Sequence, residues 1–206
     1  NRDLTLSGNA ALTASGKMGY GLELQGSNDY AIADDVSTPL DMNSDWSMEA
    51  WINLDDNTDG TILFIGELDG NGDSNEFSWT IRDDDEGDNG DMQVCYDDCS
   101  GSGGTETFQS NLVTGIWYHV AITYDDSLTD VDAYVNGKRI EEDGSFTVST
   151  FSEDDIVIGE SDMDDEGHDY HGDFDGTIDD VRILNYQKFA FGGGLMISKV
   201  QPSTDT

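Results

Sequence analysis

Apolar residues along this chain come in short runs, and several runs alternate with polar positions. In Trp46–Leu54 the residues Met48, Ala50, Ile52 and Leu54 recur with a period of two, the spacing of a strand buried on one face. In Trp117–Tyr124, Trp117, His119, Ala121 and Thr123 share one face, while Tyr118, Val120, Ile122 and Tyr124 share the other. No stretch sustains the period of an amphipathic helix. The pattern predicts strands at Gly21–Gln25, Tyr30–Ala33, Trp46–Leu54, Thr61–Gly66, Phe77–Arg82, Met92–Tyr96, Thr105–Gln109, Trp117–Tyr124, Val131–Val135, Ile156–Gly159 and Thr177–Asn185. Acidic, glycine-rich loops separate them. Many short strands divided by turn residues predict an all-β fold, with two antiparallel sheets packed as a sandwich. Asn136-Gly137 reads as a tight hairpin turn that needs positive φ.

The chain has 206 residues, which suits one sandwich domain with a sizeable core. Only 35% of residues are hydrophobic, but 4 Trp, 8 Tyr and 8 Phe set in repeated apolar runs argue against disorder. Charge changes the picture most: 45 acidic residues face 8 basic ones, for a net charge of -37. Such a surface repels nucleic acid and anionic membranes, which makes both poor partners, and no nucleic-acid binding is expected. It also pushes the folded chain apart unless bound divalent cations neutralise it or high salt screens it. The acids occupy nearly every loop, whereas calcium loading alone needs them in only a few. This distribution predicts adaptation to a hypersaline medium. Nothing approaches the roughly 18 apolar residues of a membrane span, so no membrane insertion is expected. No signal peptide is evident, as in a mature or trimmed product. Cys95 and Cys99 are the 2 cysteines. Across a tight turn their spacing permits a small hairpin disulfide, which predicts an oxidising compartment and an extracellular or cell-surface location. The alternative is two free thiols; zinc-like spacing to a second Cys/His pair is lacking.

Four segments carry a resemblance. They are Gly19-Tyr-Gly-Leu-Glu-Leu-Gln-Gly-Ser-Asn-Asp-Tyr-Ala, Asp45-Trp-Ser-Met-Glu-Ala-Trp-Ile-Asn-Leu, Ile116-Trp-Tyr-His-Val-Ala-Ile-Thr-Tyr-Asp with Ala133-Tyr-Val-Asn-Gly-Lys, and Phe174-Asp-Gly-Thr-Ile-Asp-Asp-Val-Arg-Ile-Leu-Asn. In this order the chain resembles the laminin-G-like and pentraxin-like domains of the concanavalin A-like jelly-roll family. The resemblance implies a two-sheet antiparallel jelly roll, the concanavalin A-like lectin/glucanase fold. That fold hosts lectins, adhesins, hormone binders and glycosidases, so it does not by itself assign an activity. The family's first strand is expected to be missing, because the chain starts at Asn1-Arg-Asp-Leu, close to the first turn. The domain plan is a jelly roll over 1–188, followed by an apolar tail or extra strand over 189–206.

Candidate metal chemistry lies in two loops. Asp162, Asp164, Glu166 and Asp173 take the first, third, fifth and twelfth places of a twelve-residue stretch with Gly167 in the sixth, the spacing of a calcium loop. Asp69, Asn71 and Asp73 take the first, third and fifth places of another. A solvated acidic loop is the alternative for each. On the pentraxin pattern, the resemblance implies calcium ligands at Asp73 and Asn75 from one loop and at Asp162, Asp164 and Asp165 from the other, with Ca2+ holding a sugar or anionic ligand. It also implies a structural calcium at Asp29 and Asp179. His168 and His171 read as exposed loop histidines, with a transition-metal site as the lesser alternative. His119 reads as a hydrogen-bonded structural histidine, and Trp46, Trp51, Trp117 and Tyr134 as core or sheet-surface packing.

Catalysis is not expected. The jelly-roll glucanases use Glu-x-Asp-x-x-Glu to set two carboxylates on one strand face. The nearest sequence here, Glu160-Ser-Asp-Met-Asp-Asp165, ends in Asp and sits at a strand end. Two binding classes remain. One is an extracellular, calcium-dependent carbohydrate or glycan-binding or adhesion module of a halophile surface protein. The other is a structural subunit of a surface filament or layer, self-assembled by strand exchange through the chain termini.

Overall fold

Alternation along β5 (Trp46–Leu54) fixes the centre of the fold. Trp46, Met48, Ala50, Ile52 and Leu54 turn into the core, which leaves Ser47, Glu49, Trp51 and Asn53 on the opposite face. The computed structural model describes residues 4–26, 28–33, 44–56, 59–66, 68, 76–82, 90–96, 104–141, 146–148, 155–161, 164–165, 168–169 and 172–188. The strands before β5 are β1 (Thr5–Ser7), β2 (Ala11–Gly16), β3 (Gly19–Gln25) and β4 (Tyr30–Ala33). After it come β6 (Gly60–Ile65), β7 (Phe77–Arg82), β8 (Asp91–Tyr96), β9 (Thr105–Phe108), β10 (Trp117–Asp125) and β11 (Asp130–Val135). The last are β12 (Lys138–Glu141), β13 (Ile156–Ile158), β14 (Asp164–Asp165), β15 (His168–Asp169) and β16 (Asp175–Leu184). No helix occurs among the described residues.

Two antiparallel sheets of seven strands form a jelly-roll sandwich. The first runs β1-β4-β13-β6-β7-β8-β9 and the second β12-β11-β10-β5-β16-β3-β2. β14 and β15 pair separately as a short ribbon. All the strands that the hydrophobic pattern predicts are present, with ends shifted by no more than a few residues. Asn136 and Gly137 take φ of 51° and 79°, and Val135 pairs with Lys138 across them. This is the positive-φ turn that Asn-Gly favours.

The start of the chain corrects one expectation. No strand is predicted before Gly21, yet β1 pairs with β4 and β2 pairs with β3. Residues 5–16 therefore supply an edge strand to each sheet. The turn between them is held by Asp29, which is fully buried. Its carboxylate accepts the backbone N–H of Asn9 at 2.5 Å and that of Gln25 at 3.1 Å. Gly8 is required there: with φ of 64°, a Cβ would lie 2.2 Å from the Asp29 Oδ1.

Aromatic contacts lock one sheet on the other. Trp46 stacks on Tyr124 at 5.4 Å and meets the edge of Phe77 from the opposite sheet at 5.6 Å. Phe146 closes the group against Phe77 and Tyr124. Each such pair adds about 0.5–1.5 kcal/mol beyond its buried area.

Candidate functional site

The outer face of the second sheet is built from the residues that alternate away from the core. Strand register sets them in rows. One row runs Tyr134, Ala121, Glu49, Arg182. The next holds His119, Trp51 and Asp179, and the third Trp117, Asn53 and Thr177. Side chains in such rows are neighbours across adjacent strands, so polar and aromatic groups distant in sequence form one surface.

Glu49 is the electrostatic centre of this face. It is only 2% exposed, yet three basic groups reach it. Lys188 Nζ lies 2.7 Å from both carboxylate oxygens, His119 Nε2 lies 3.2 Å from Oε2, and Arg182 donates to Oε1 at 3.3 Å. Burial alone would raise the Glu49 pKa. Hydrogen bonds from His119 and Lys188 overcome it and hold the group at about 2. The carboxylate is therefore ionised near neutral pH, where it accepts hydrogen bonds and has no proton to give. Lys188 arrives because the chain after β16 runs back over β5: Ser47 Oγ donates to the Tyr186 carbonyl at 2.8 Å and accepts the Lys188 N–H at 2.7 Å.

Beside Glu49, Trp51 is half-buried, with the His119 ring at its edge at 5.2 Å and Lys17 Nζ 4.6 Å from its ring centroid. Asp179 accepts the Met18 N–H at 2.6 Å, which holds the turn between β2 and β3 against this face. Asn53 Oδ1 is buried and accepts no hydrogen bond among the described residues. On the flank, Arg139 pairs with Asp132. Of the six described lysines and arginines, Lys17, Arg139, Arg182 and Lys188 belong to this face; the other two are Arg82 and Lys138.

Five of the residues proposed for calcium, Asp29, Asp164, Asp165, Asp173 and Asp179, are among the described residues. Asp69, Asn71, Asp73, Asn75, Asp162 and Glu166 lie outside the described residues, as do His171 and Cys99. Asp164 and Asp165 form β14, which pairs with β15. Asp173 accepts the Asn28 N–H at 3.1 Å, next to Asp29 in sequence, so the structure brings Asp173 to the Asp29 turn. It does not bring Asp179 there. Asp29 binds Gln25 at the end of β3 and Asp179 binds Met18 just before its start. A seven-residue strand spans roughly 20 Å at about 3.3 Å per residue, too far for one ion to bridge the two carboxylates. Among the described residues, no three His, Cys, Asp or Glu side chains are grouped to hold a metal. Cys95 is buried on β8, and no free cysteine occurs among the described residues.

His119 is the structural histidine its strand suggested. Arg182 and Asn53 lie within segments that carry the family resemblance, but neither they nor Lys188 stood out there as site residues. The available signal was Glu49 itself, a charged residue in the middle of a strand whose other face is wholly apolar.

A family model described as Laminin_G_3, concanavalin A-like lectin/glucanases superfamily, matches residues 25–189. Among solved structures, the binding domain of botulinum neurotoxin serotype D is similar, with a TM-score of 0.60 and 16% identity over 90% of this chain and 43% of that one. Domain 4 of AbnA, a GH43 extracellular arabinanase from Geobacillus stearothermophilus, in complex with arabinotriose, has a TM-score of 0.59 and 19% identity over 88% of this chain and 77% of that one. The CBM40 of the Ruminococcus gnavus IT-sialidase, bound to α2,3-sialyllactose, has a TM-score of 0.58 and 14% identity over 82% and 91%. At these identities the likeness is one of fold. No curated protein matches the sequence.

Proposed function

Given that the chain belongs to the concanavalin A-like lectin/glucanase superfamily, we propose that it is a carbohydrate-binding module without catalytic activity. The observation that carries this reading is the pair of half-buried indoles, Trp51 and Trp117, on neighbouring rows of one sheet face. Indole rings offer flat apolar surface for a sugar face. Neighbouring folds seen with arabinotriose and sialyllactose support the same reading. The module is further proposed to be extracellular, adapted to high salt, dependent on Ca2+ held by the 69–75 and 162–173 loops, and closed by a Cys95–Cys99 disulfide. A glycan array probed with calcium at high salt tests the function. Trp51→Ala should weaken the glycans found by at least about tenfold, about 1.4 kcal/mol, with the circular dichroism spectrum unchanged. Binding to no glycan class overturns the reading.

The second reading is a subunit that assembles with copies of itself. The observation favouring it is the N-terminal flank, where Leu4, Leu6, Leu12, Met18 and Tyr20 are all exposed along β1, β2 and β3. Apolar side chains beside sheet edges are a docking surface on an otherwise anionic protein. Sedimentation at rising protein concentration tests it: a monomer throughout removes this reading.

A further inference from the structure

At the end of the second sheet opposite to Asn53, three turns border a wide-open cleft of about 380 Å³, lined by Ser44, Asp45, Asp126, Ser127, Asn185 and Tyr186. That volume lies within the roughly 300–1,000 Å³ of small-ligand sites. Each wall is held independently of any ligand. Asp45 Oδ1 accepts the Asp126 N–H at 3.1 Å, which ties the first turn to the second. In the second turn, Asp125 Oδ1 accepts the Ser127 N–H at 2.9 Å, the Ser127 Oγ–H at 2.6 Å and the Leu128 N–H at 3.2 Å. The third wall is pinned by its backbone, whose Tyr186 carbonyl accepts from Ser47 Oγ and whose Lys188 N–H donates to the same oxygen. This fixing leaves the Tyr186 residue 54% exposed, its ring presented on a rigid segment instead of packed away. A preformed site spares the ordering cost that weakens binding to mobile loops.

The side chains in the cleft define the ligand chemistry. A tyrosine ring provides one flat apolar face. Asn185 both donates and accepts, and the serine hydroxyls do likewise. Asp45 and Asp126 accept only, and hydroxyl groups bound to an ionised carboxylate make the stronger, charge-assisted bonds. Among the described residues no lysine or arginine lines the cleft, so a carboxylate, sulfate or phosphate on the ligand meets two like charges there. A flat ring rich in hydroxyl groups and without charge fits all of these conditions.

We propose that this cleft is a second saccharide site, specific for uncharged sugars, with Tyr186 as the stacking platform and Asp45, Asp126 and Asn185 as the hydroxyl partners. The proposal rests on the carbohydrate-binding reading but names a site separate from the Trp51 face. The test is isothermal titration of the whole chain in high-salt buffer. The probes are arabinotriose, maltotriose and laminaritriose as uncharged ligands, and α2,3-sialyllactose as a charged one. Tyr186→Ala should weaken an uncharged trisaccharide by tenfold or more, Tyr186→Phe should retain it, and neither should shift the melting temperature, because the ring is exposed. Trp51→Ala should leave the same cleft isotherm in place. Uncharged trisaccharides that bind Tyr186→Ala as well as wild type overturn the cleft while leaving the Trp51 face standing. Sialyllactose lost on Tyr186→Ala as strongly as the uncharged probes overturns the specificity. No heat from any probe, together with a blank glycan array, removes both sites and the carbohydrate reading with them.

Discussion

Replacing Glu49 with Gln isolates the ionic centre of the second sheet. The substitution keeps the shape and removes the charge that Lys188, His119 and Arg182 share. The magnitude follows from the carboxyl, which moves from 4.5 to about 2 on folding. At about 1.36 kcal/mol per pH unit, this is worth about 3 kcal/mol. Breaking a buried pair from one side costs about 3–5 kcal/mol by comparison, so the two estimates agree. A folded-state pKa below the unfolded one means that the contribution is whole above about pH 5 and fades as the pH falls towards about 2. In a chain of this length, 1 kcal/mol moves Tm by about 2–4 °C, so Glu49→Gln should melt about 6–12 °C below wild type at pH 7. The assay is thermal unfolding by circular dichroism in about 3 M KCl, where exposed charges are screened and the buried cluster is not. The gap should begin to narrow at about pH 4 and shrink to about a quarter at about pH 2.5. Equal melting at pH 7, or a gap that ignores pH, would refute the role assigned to Glu49.

Asp29→Ala should cost about 1–3 kcal/mol for each N–H left without its acceptor and speed amide exchange in β1 and β2; unchanged exchange there would show that the carboxylate does not hold the turn. Diluting KCl from about 3 to about 0.05 M without calcium should loosen the fold as screening is lost, read by near-ultraviolet circular dichroism; a flat curve removes the salt adaptation. Calcium should raise the wild-type Tm by linkage, and Asp162→Ala with Asp164→Ala should lose much of that gain; an equal response places the ion elsewhere. Mass spectrometry without reductant should show Cys95 joined to Cys99; two alkylatable thiols after oxidising isolation contradict the bridge.

The strands with strict alternation were legible because burying one face leaves a period-two trace. β5, β7 and β4 match their predicted limits. β1 left no trace: it is three residues long and mostly exposed, paired only by its backbone. β2 is likewise exposed along most of its length. β12 reads Lys-Arg-Ile-Glu, and its pairing follows from the Asn-Gly turn before it more than from its own side chains. The site was less legible for a different reason. Lys188 and Glu49 are 139 positions apart, and nothing local in either announces the other. Their meeting depends on β16 lying next to β5, a fact of topology. The cleft around Tyr186 is hidden in the same way, since its three walls come from distant turns.

The crowding of Lys17, Arg139, Arg182 and Lys188 on one sheet face gives the molecule an electrical front and back. Most surfaces of a body with a net charge of -37 push an approaching anion away. Over that one face Arg139 is neutralised by Asp132, and Arg182 and Lys188 by Glu49, so the repulsion of an approaching anion is softened there but not reversed. In brine even that difference between the faces fades within a few ångströms.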